Sequence, residues 1–277
     1  MKSVLSRLLI VFLMLFSFYY TDKMINLSKS QDPIMIKIKD VADNYYVEPV
    51  NGVISNNTII IGKKGKKIDV DASYEKMKKI KKYNKDLLEY ISIKPSISMN
   101  NNYDKLIIGS NTNDKRIAFV FKTNNINYIK QIIYIANRND VSIVFYVDGQ
   151  IVEKNYSFFR SIINDKISLG IYGYNNVFNN NSVKYVNDFY KNSNFISNYC
   201  LYKDSSFLKS CKYYKIGTIK PIPINNNLYN YIKENKTNGY IYEVLVNKNN
   251  IRQLNSTFTF LRQKGYSVEK IDVLLKE

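Results

Sequence analysis

Residues 165–176 read DKISLGIYGYNN. The run from Ile167 to Tyr174 is rich in β-branched and aromatic side chains and is bounded by Asn164-Asp165 and Asn175-Asn176, which predicts a strand. Upstream, NYSFFRSIINDK (155–166) has helical spacing, and downstream so does SVKYVNDFYKN (182–192). The same alternation continues outward in both directions. RIAFVF (116–121), VSIVFYV (141–147), FISNYCLY (195–202), KIGTIKPI (215–222) and GYIYEVLV (239–246) read as buried strands. Between and after them come INYIKQIIYIANRN (126–139), with Ile129, Ile132, Ile133 and Ala136 on one face, DSSFLKSCKYY (204–214), capped by Asp204 or Ser205, the short NLYNYIKEN (227–235), and NIRQLNSTFTFLRQKG (250–265), ended by Gly265. Apolar strands alternating strictly with helices predict a parallel sheet covered by helices. Six such units fit a doubly wound sheet or a barrel, and the pattern alone does not choose.

The amino-terminal part has a different rhythm. MKSVLSRLLIVFLMLFSFYYTDK carries Lys2 and Arg7, then an unbroken apolar run from Leu8 to Phe16 that extends to Tyr20. No small-x-small cleavage site follows, so residues 1–27 read as an uncleaved signal-anchor with the amino end in the cytoplasm. A full span needs roughly 20 residues, which Val4 to Tyr20 approaches if Arg7 snorkels to the interface. Lys23, Lys29 and Lys37 put positive charge beyond the run as well.

Residues 28–112 read as a small β-rich region. PIMIKIKDV (33–41) alternates apolar and charged residues from Ile34 to Val41, the pattern of a half-buried strand. Gly52, Gly62 and Gly65 punctuate Val/Ile runs and suggest hairpins. GKKGKK (62–67) lacks the glycine spacing and the Lys-Ser/Thr end of a phosphate loop and reads as an exposed basic turn. DASYEKMKKIKKYNKDLLEYI (71–91) reads as one helix with Met77, Ile80, Leu87, Leu88 and Ile91 inward. Its other face carries Lys76, Lys78, Lys79, Lys81, Lys82 and Lys85, a solvated or anion-binding surface. Ser110 to Lys115 reads as the linker to a third segment, 113–277.

The formal net charge is +18, and the 277 residues contain no histidine. A strongly basic balance points to an anionic partner, although heavy use of Lys, Asn, Ile and Tyr is also what an AT-rich genome produces. Cys200 and Cys211 fit no zinc or redox spacing, and one bridge between them is open if the domain lies outside the cell.

From 116 to 275 the chain resembles the polysaccharide deacetylase family, the NodB homology domain of carbohydrate esterases. IAFVFKTN (117–124) sits where the family reads V-A-L-T-F-D-D-G, and SIVFYVDG (142–149) matches A-T-F-F-V-x-G. KISLGIYGYNN (166–176) aligns without a gap to G-H-E-I-G-N-H-T-x-x-H, anchored by Gly170. GYIYEVLVN (239–247) stands for G-S-I-I-L-L-H, and LRQKGYSVEKIDVLL (261–275) resembles the closing helix and strand. The resemblance implies a distorted (β/α) barrel with a groove at the carboxyl ends of its strands.

In that family a metal held by one aspartate and two histidines activates water for N-deacetylation, beside an aspartate base and a histidine acid. By the resemblance, Lys122 stands at the base, Thr123 at the aspartate ligand, Tyr172 and Asn176 at the histidine ligands and Leu245 at the histidine acid. No arginine follows FISNYCLY, where the family's R-P-P-Y segment would lie. Asp114, Asp148 and Asp165 are the nearest aspartates to these motifs, and none replaces a ligand in register. The expectation is a degenerate member without metal or other cofactor and without catalysis. It would be held at the cell membrane by one span, with its domain outside and its groove (Lys122, Tyr172, Tyr174, Asn176) turned to an envelope polysaccharide. An atypical N-deacetylase is the alternative. A nucleic-acid partner would rest on charge and tyrosines alone, since no RNP, KH or helix-turn-helix signature is present.

Overall fold

The computed structural model describes residues 2–195 and 199–276. The chain forms two compact units, Met1–Glu48 with Gly65–Ile93, and Pro49–Lys64 with Lys94–Glu277. Its first part runs α1 (Lys2–Gln31), α2 (Pro33–Ala42), β1 (Val53–Ser55), β2 (Thr58–Ile61), β3 (Gly65–Asp69), α3 (Val70–Ile80), β4 (Glu89–Ile93) and β5 (Leu106–Ser110).

In the first unit α2 replaces the strand expected at 34–41. Asp32 accepts a hydrogen bond from the Ile34 N–H at 2.8 Å, and Pro33 takes the first helical position, where its missing N–H costs nothing. Met35 and Ile38, three residues apart, are then buried in one core with Ile68, Tyr74, Met77 and Leu88. The helix expected over 71–91 stops at Ile80, with Lys81 in the left-handed region at φ 52°. Leu88 still reaches that core, but from the residue just before β4, which pairs antiparallel with β3 from Gly65↔Ile93 to Asp69↔Glu89.

The second unit does not begin at residue 113. Hairpin β1–β2 and strand β5 belong to it, with β2 parallel to β5. The segment 110–115 is tied down rather than a free linker. The Ser110 N–H donates to Gly239 O, the Asn111 N–H to Ile61 O, and the Asp114 carboxylate pairs with Lys63 and Arg116, each at 3.0 Å.

From there the chain continues β6 (Arg116–Lys122), α4 (Ile126–Asn139), β7 (Ile143–Tyr146), α5 (Gly149–Lys154), α6 (Tyr156–Ile162), β8 (Ile167–Gly170), α7 (Asn180–Asn192), β9 (Tyr199–Leu201), α8 (Ser205–Tyr213), β10 (Gly217–Ile219), β11 (Ile222–Ile224), α9 (Leu228–Asn235), β12 (Ile241–Val244), α10 (Lys248–Gln263), β13 (Ser267–Val268) and α11 (Ile271–Leu274). The expected strand 195–202 is seen as β9, and its residues 196–198 lie outside the described residues. The expected strand 215–222 is divided into β10 and β11 at Lys220-Pro221, where proline has no N–H to give a ladder.

Strands β11, β12, β6, β7 and β8 are parallel neighbours in that order. Ile171, just past β8, bridges to Cys200 of β9, and β9 pairs parallel with β10. Because β11 continues β10 past the proline, the path of neighbours returns to β12. That path is consistent with the distorted (β/α) barrel expected, with weak closures at Ile171–Cys200 and at Pro221. Along β6, Ile117, Phe119 and Phe121 enter the core shared with the helices, while Ala118 and Val120 enter the inner core with Val144, Tyr146, Tyr199, Leu201, Ile219 and Ile241. A strand buried on both faces is continuously apolar, which is why RIAFVF shows no alternation.

Candidate functional site

The inner core ends at the carboxyl ends of β6, β8 and β12. Residues two apart on a strand share a face, so Lys122 follows Ala118 and Val120, Tyr172 follows Gly170, and Glu243 follows Ile241. These three side chains meet. Lys122 Nζ lies 3.4 Å from Glu243 Oε1 and 5.7 Å from the centre of the Tyr172 ring. Tyr172 also packs edge-on against Phe178, with ring centres 5.0 Å apart. Burial pushes the Tyr172 phenol above its ordinary pKa, against the opposing pull of the Lys122 charge, so the ring stays neutral at physiological pH.

Below this mouth the space enclosed by the strands is filled. Tyr146 is fully buried, and its ring lies on Gly170, its cross-strand partner. A Cβ at residue 170 would stand 1.9 Å from Tyr146 Cε1. The family-like glycine is therefore required here by a ring that occupies the space above it. Among the described residues the Tyr146 hydroxyl has no hydrogen-bond partner, and burial drives its pKa well above the ordinary phenol value.

The remaining family positions serve other ends. The Thr123 hydroxyl accepts from the Asn125 N–H at 3.2 Å, leading into α4. Asn175 and Asn176 both have positive φ, at 51° and 58°, between Tyr174 and Val177, whose N–H and carbonyl groups exchange hydrogen bonds. That is the two-residue hairpin turn that Asn tolerates. Asp148 clamps it, accepting from the Asn175 N–H at 2.9 Å and the Asn176 N–H at 2.8 Å while also capping α5 through the Gln150 N–H. Asp148 is thus a buried carboxylate committed to three backbone donors.

Tyr174 does not join Lys122 and Tyr172. Its hydroxyl donates to Glu153 Oε2 at 2.6 Å, and Tyr185 of α7 donates to Oε1 of the same carboxylate at 2.7 Å. The two donors hold Glu153 below the usual carboxylate range, and the Glu153 carboxylate pushes Tyr174 up to about 12. Of the four residues expected to line a groove, only Lys122 and Tyr172 come together, and Glu243 joins them. Leu245 is half exposed past β12; its N–H donates to Ile224 O, and its carbonyl accepts from the Asn250 side chain at 2.9 Å. Glu243 and Tyr146 were visible in GYIYEVLV and VSIVFYV only as a polar interruption and one aromatic among several.

Cys200 and Cys211 form a disulfide between β9 and α8, with Cα atoms 6.5 Å apart. Cys200 lies in the helix-side core and not in the groove.

A divalent cation does not fit these residues. Tyr172 is a neutral phenol, Thr123 is used in a turn, Asn176 sits on a hairpin tip, and Lys122 would stand beside the ion and repel it. Among the described residues no three His, Cys, Asp or Glu side chains gather as a metal site.

No protein-family model matches this chain. It is 27% identical over 153 residues to the uncharacterized protein YlxY of Bacillus subtilis (strain 168), an alignment covering 54% of this chain and 48% of YlxY. The chain thus matches about half the length of that curated relative. Among solved structures the fold is that of the family 4 carbohydrate esterases, the NodB-type polysaccharide deacetylases. Wild-type BA3943 from Bacillus anthracis, a pseudoenzyme of that family, superposes with TM-score 0.63 at 22% identity, over 89% of this chain and 96% of its own. A BA3943 mutant with restored enzymatic activity superposes with TM-score 0.65 at 21% identity, over 88% and 98%. PdaA of Bacillus subtilis, a family 4 carbohydrate esterase, gives 0.53 at 20% identity, over 64% and 87%.

Proposed function

We propose that this chain is a membrane-held, extracytoplasmic protein of deacetylase-like fold that does not deacetylate, and that its barrel mouth binds or scaffolds an envelope glycan. The observation that carries the first part is the Lys122–Glu243–Tyr172 contact at the strand ends. It puts a cation with its own counter-ion where the resemblance implies a metal. Support for the address comes from α1, whose amino-terminal part is long and apolar enough to cross a membrane by length and composition. The Cys200–Cys211 disulfide agrees, because such bonds persist in oxidising compartments.

Tyr172 offers a ring face for stacking on a sugar, and Lys122 a cation for a carboxylate or phosphate group once Glu243 yields it. Full-length protein purified in detergent should hold no stoichiometric Zn, Co, Ni or Mn, and added metal should leave its melting temperature unchanged, since a ligand stabilises only a state that binds it. Near-stoichiometric metal together with a thermal shift would overturn the non-catalytic reading. For the glycan, Tyr172→Ala should weaken binding of neutral and anionic cell-wall fragments alike, while Lys122→Met should weaken only the anionic ones. If both variants stay folded and bind as before, the mouth is vestigial and the protein works through its outer surface.

A further inference from the structure

Charge on α3 is segregated along the helix. Its first turns carry Asp71 and Glu75, and Lys29 at the end of α1 reaches both, at 2.9 and 3.2 Å. Beyond them come Lys76, Lys78, Lys79, Lys81, Lys82 and Lys85 with no acid between. Lys76 pairs with Glu89, and Lys85 lies over the Tyr45 ring. Lys78 lies over the Tyr74 ring. Among the described residues no carboxylate pairs with Lys79, Lys81 or Lys82, all of which are exposed. In their midst Ile80 is 51% exposed, an apolar side chain ringed by lysines.

The direction of α3 gives this cluster a place. Its start is fixed beside Lys29, while Tyr74, Glu75 and Lys78 line a cleft of about 690 Å³ with Tyr20, Thr21, Met24 and Ile25. Lys78 of α3 thus shares a cleft with α1 residues as far back as Tyr20. Lys78, and with it the lysine cluster, lies on the side of Tyr20, which together with Tyr19 is exposed at the end of the apolar run Leu8–Phe18. Aromatic side chains at the end of an apolar span mark the headgroup layer.

We propose that Lys78, Lys79, Lys81 and Lys82 bind the anionic headgroups of the bilayer that holds α1, with Ile80 inserted between them. Phospholipid is the occupant argued for, because Lys78 shares a cleft with Tyr20, Met24 and Ile25 of the membrane-anchoring helix and the cluster is complementary in charge to an anionic leaflet. Each lysine at such a surface favours the docked state roughly fivefold. The inference rests on the anchoring part of the proposed function, and the experiment separates the two.

Full-length protein carrying Ile80→Cys, labelled with a polarity-sensitive fluorophore, is placed in phosphatidylglycerol or phosphatidylcholine nanodiscs. Only phosphatidylglycerol should blue-shift the probe and cut its access to an aqueous quencher at least fivefold. Reversal of Lys78, Lys79 and Lys82 to Glu should abolish that difference; Lys81 is left intact because its left-handed backbone caps α3. Equal quenching in both lipids, or protection that survives the reversal, overturns the inference. So does equal protection in phosphatidylcholine on adding soluble poly(glycerol phosphate), which would make a wall polymer the ligand. Flotation with phosphatidylcholine vesicles in high salt reads the anchor alone. A protein that floats with them yet shows no lipid-dependent protection keeps its anchor and loses the headgroup site. One that floats only with phosphatidylglycerol, in low salt and through these lysines, keeps the site and loses the anchor. Flotation with neither removes both.

Discussion

Gly170→Ala should be among the most damaging single-methyl changes in the barrel. The added Cβ would sit 1.9, 2.2 and 2.5 Å from three atoms of the Tyr146 ring, against an ordinary carbon–carbon contact of about 3.5–4.0 Å. The ring would have to retreat by about 1.5 Å, and Tyr146 is fully buried with Ala118, Val120, Val144 and Leu201 in the same core. Overpacking of a filled core costs about 1–3 kcal/mol, and this overlap belongs at the upper end, about 3 kcal/mol. For a chain of this size that corresponds to a fall in melting temperature of roughly 6–12 °C. Tyr146→Ala alone opens a cavity worth about 3–5 kcal/mol, eased by removing a buried hydroxyl without a partner, which recovers about 1–3 kcal/mol. In the Tyr146→Ala background the methyl at 170 has room, and Ala is no worse than Gly in a strand. There Gly170→Ala should cost under about 1 kcal/mol, leaving a coupling of about 2–3 kcal/mol in a double-mutant cycle measured by denaturant unfolding. An equal cost of Gly170→Ala in both backgrounds would refute the argument that Tyr146 is what keeps residue 170 a glycine.

The Tyr174–Glu153–Tyr185 contact should give stability a limb at each end of the pH scale. Glu153 is depressed, so its contribution is present above the ordinary Glu pKa and lost as pH falls through its folded value; Tyr174 is raised to about 12, so its contribution is complete below about pH 10 and lost as pH climbs through 12. Glu153→Gln should flatten both limbs relative to wild type, and unchanged acid and alkaline melting profiles would show that the contact contributes nothing. Reducing the Cys200–Cys211 bond, which closes a short loop between β9 and α8, should cost about 3 kcal/mol of unfolding free energy. Cys200→Ala/Cys211→Ala should melt like the reduced protein, and a double variant as stable as the oxidised wild type would refute that figure.

The strand–helix alternation from Arg116 onward was legible in the residues alone, because buried strands and amphipathic helices write their periods locally. So was the family-like frame, since Gly170 and the motifs around it hold their spacing whether or not the reacting side chains remain. Some local signals were present and outweighed. Asp32-Pro33 is a helix start, yet the alternation of Ile34 to Val41 reads equally as a strand, and burial of Met35 and Ile38 against Tyr74 and Met77 decided for α2. Asn175-Asn176 is a hairpin turn in its own right, although its place in the family frame suggested lost ligands. What no local pattern contains is the partner on another element. Glu243 meets Lys122 from 121 residues away because β12 and β6 are parallel neighbours, in a register pairing Glu243 with Val120, two residues short of Lys122. Tyr174 leaves the mouth because Glu153 and Tyr185 stand outside it to accept and share its hydroxyl contact. Cys200 and Cys211 bond because β9 and α8 bring two buried side chains within reach. Such contacts depend on strand register and on which element covers which, and those are fixed only when the whole core packs.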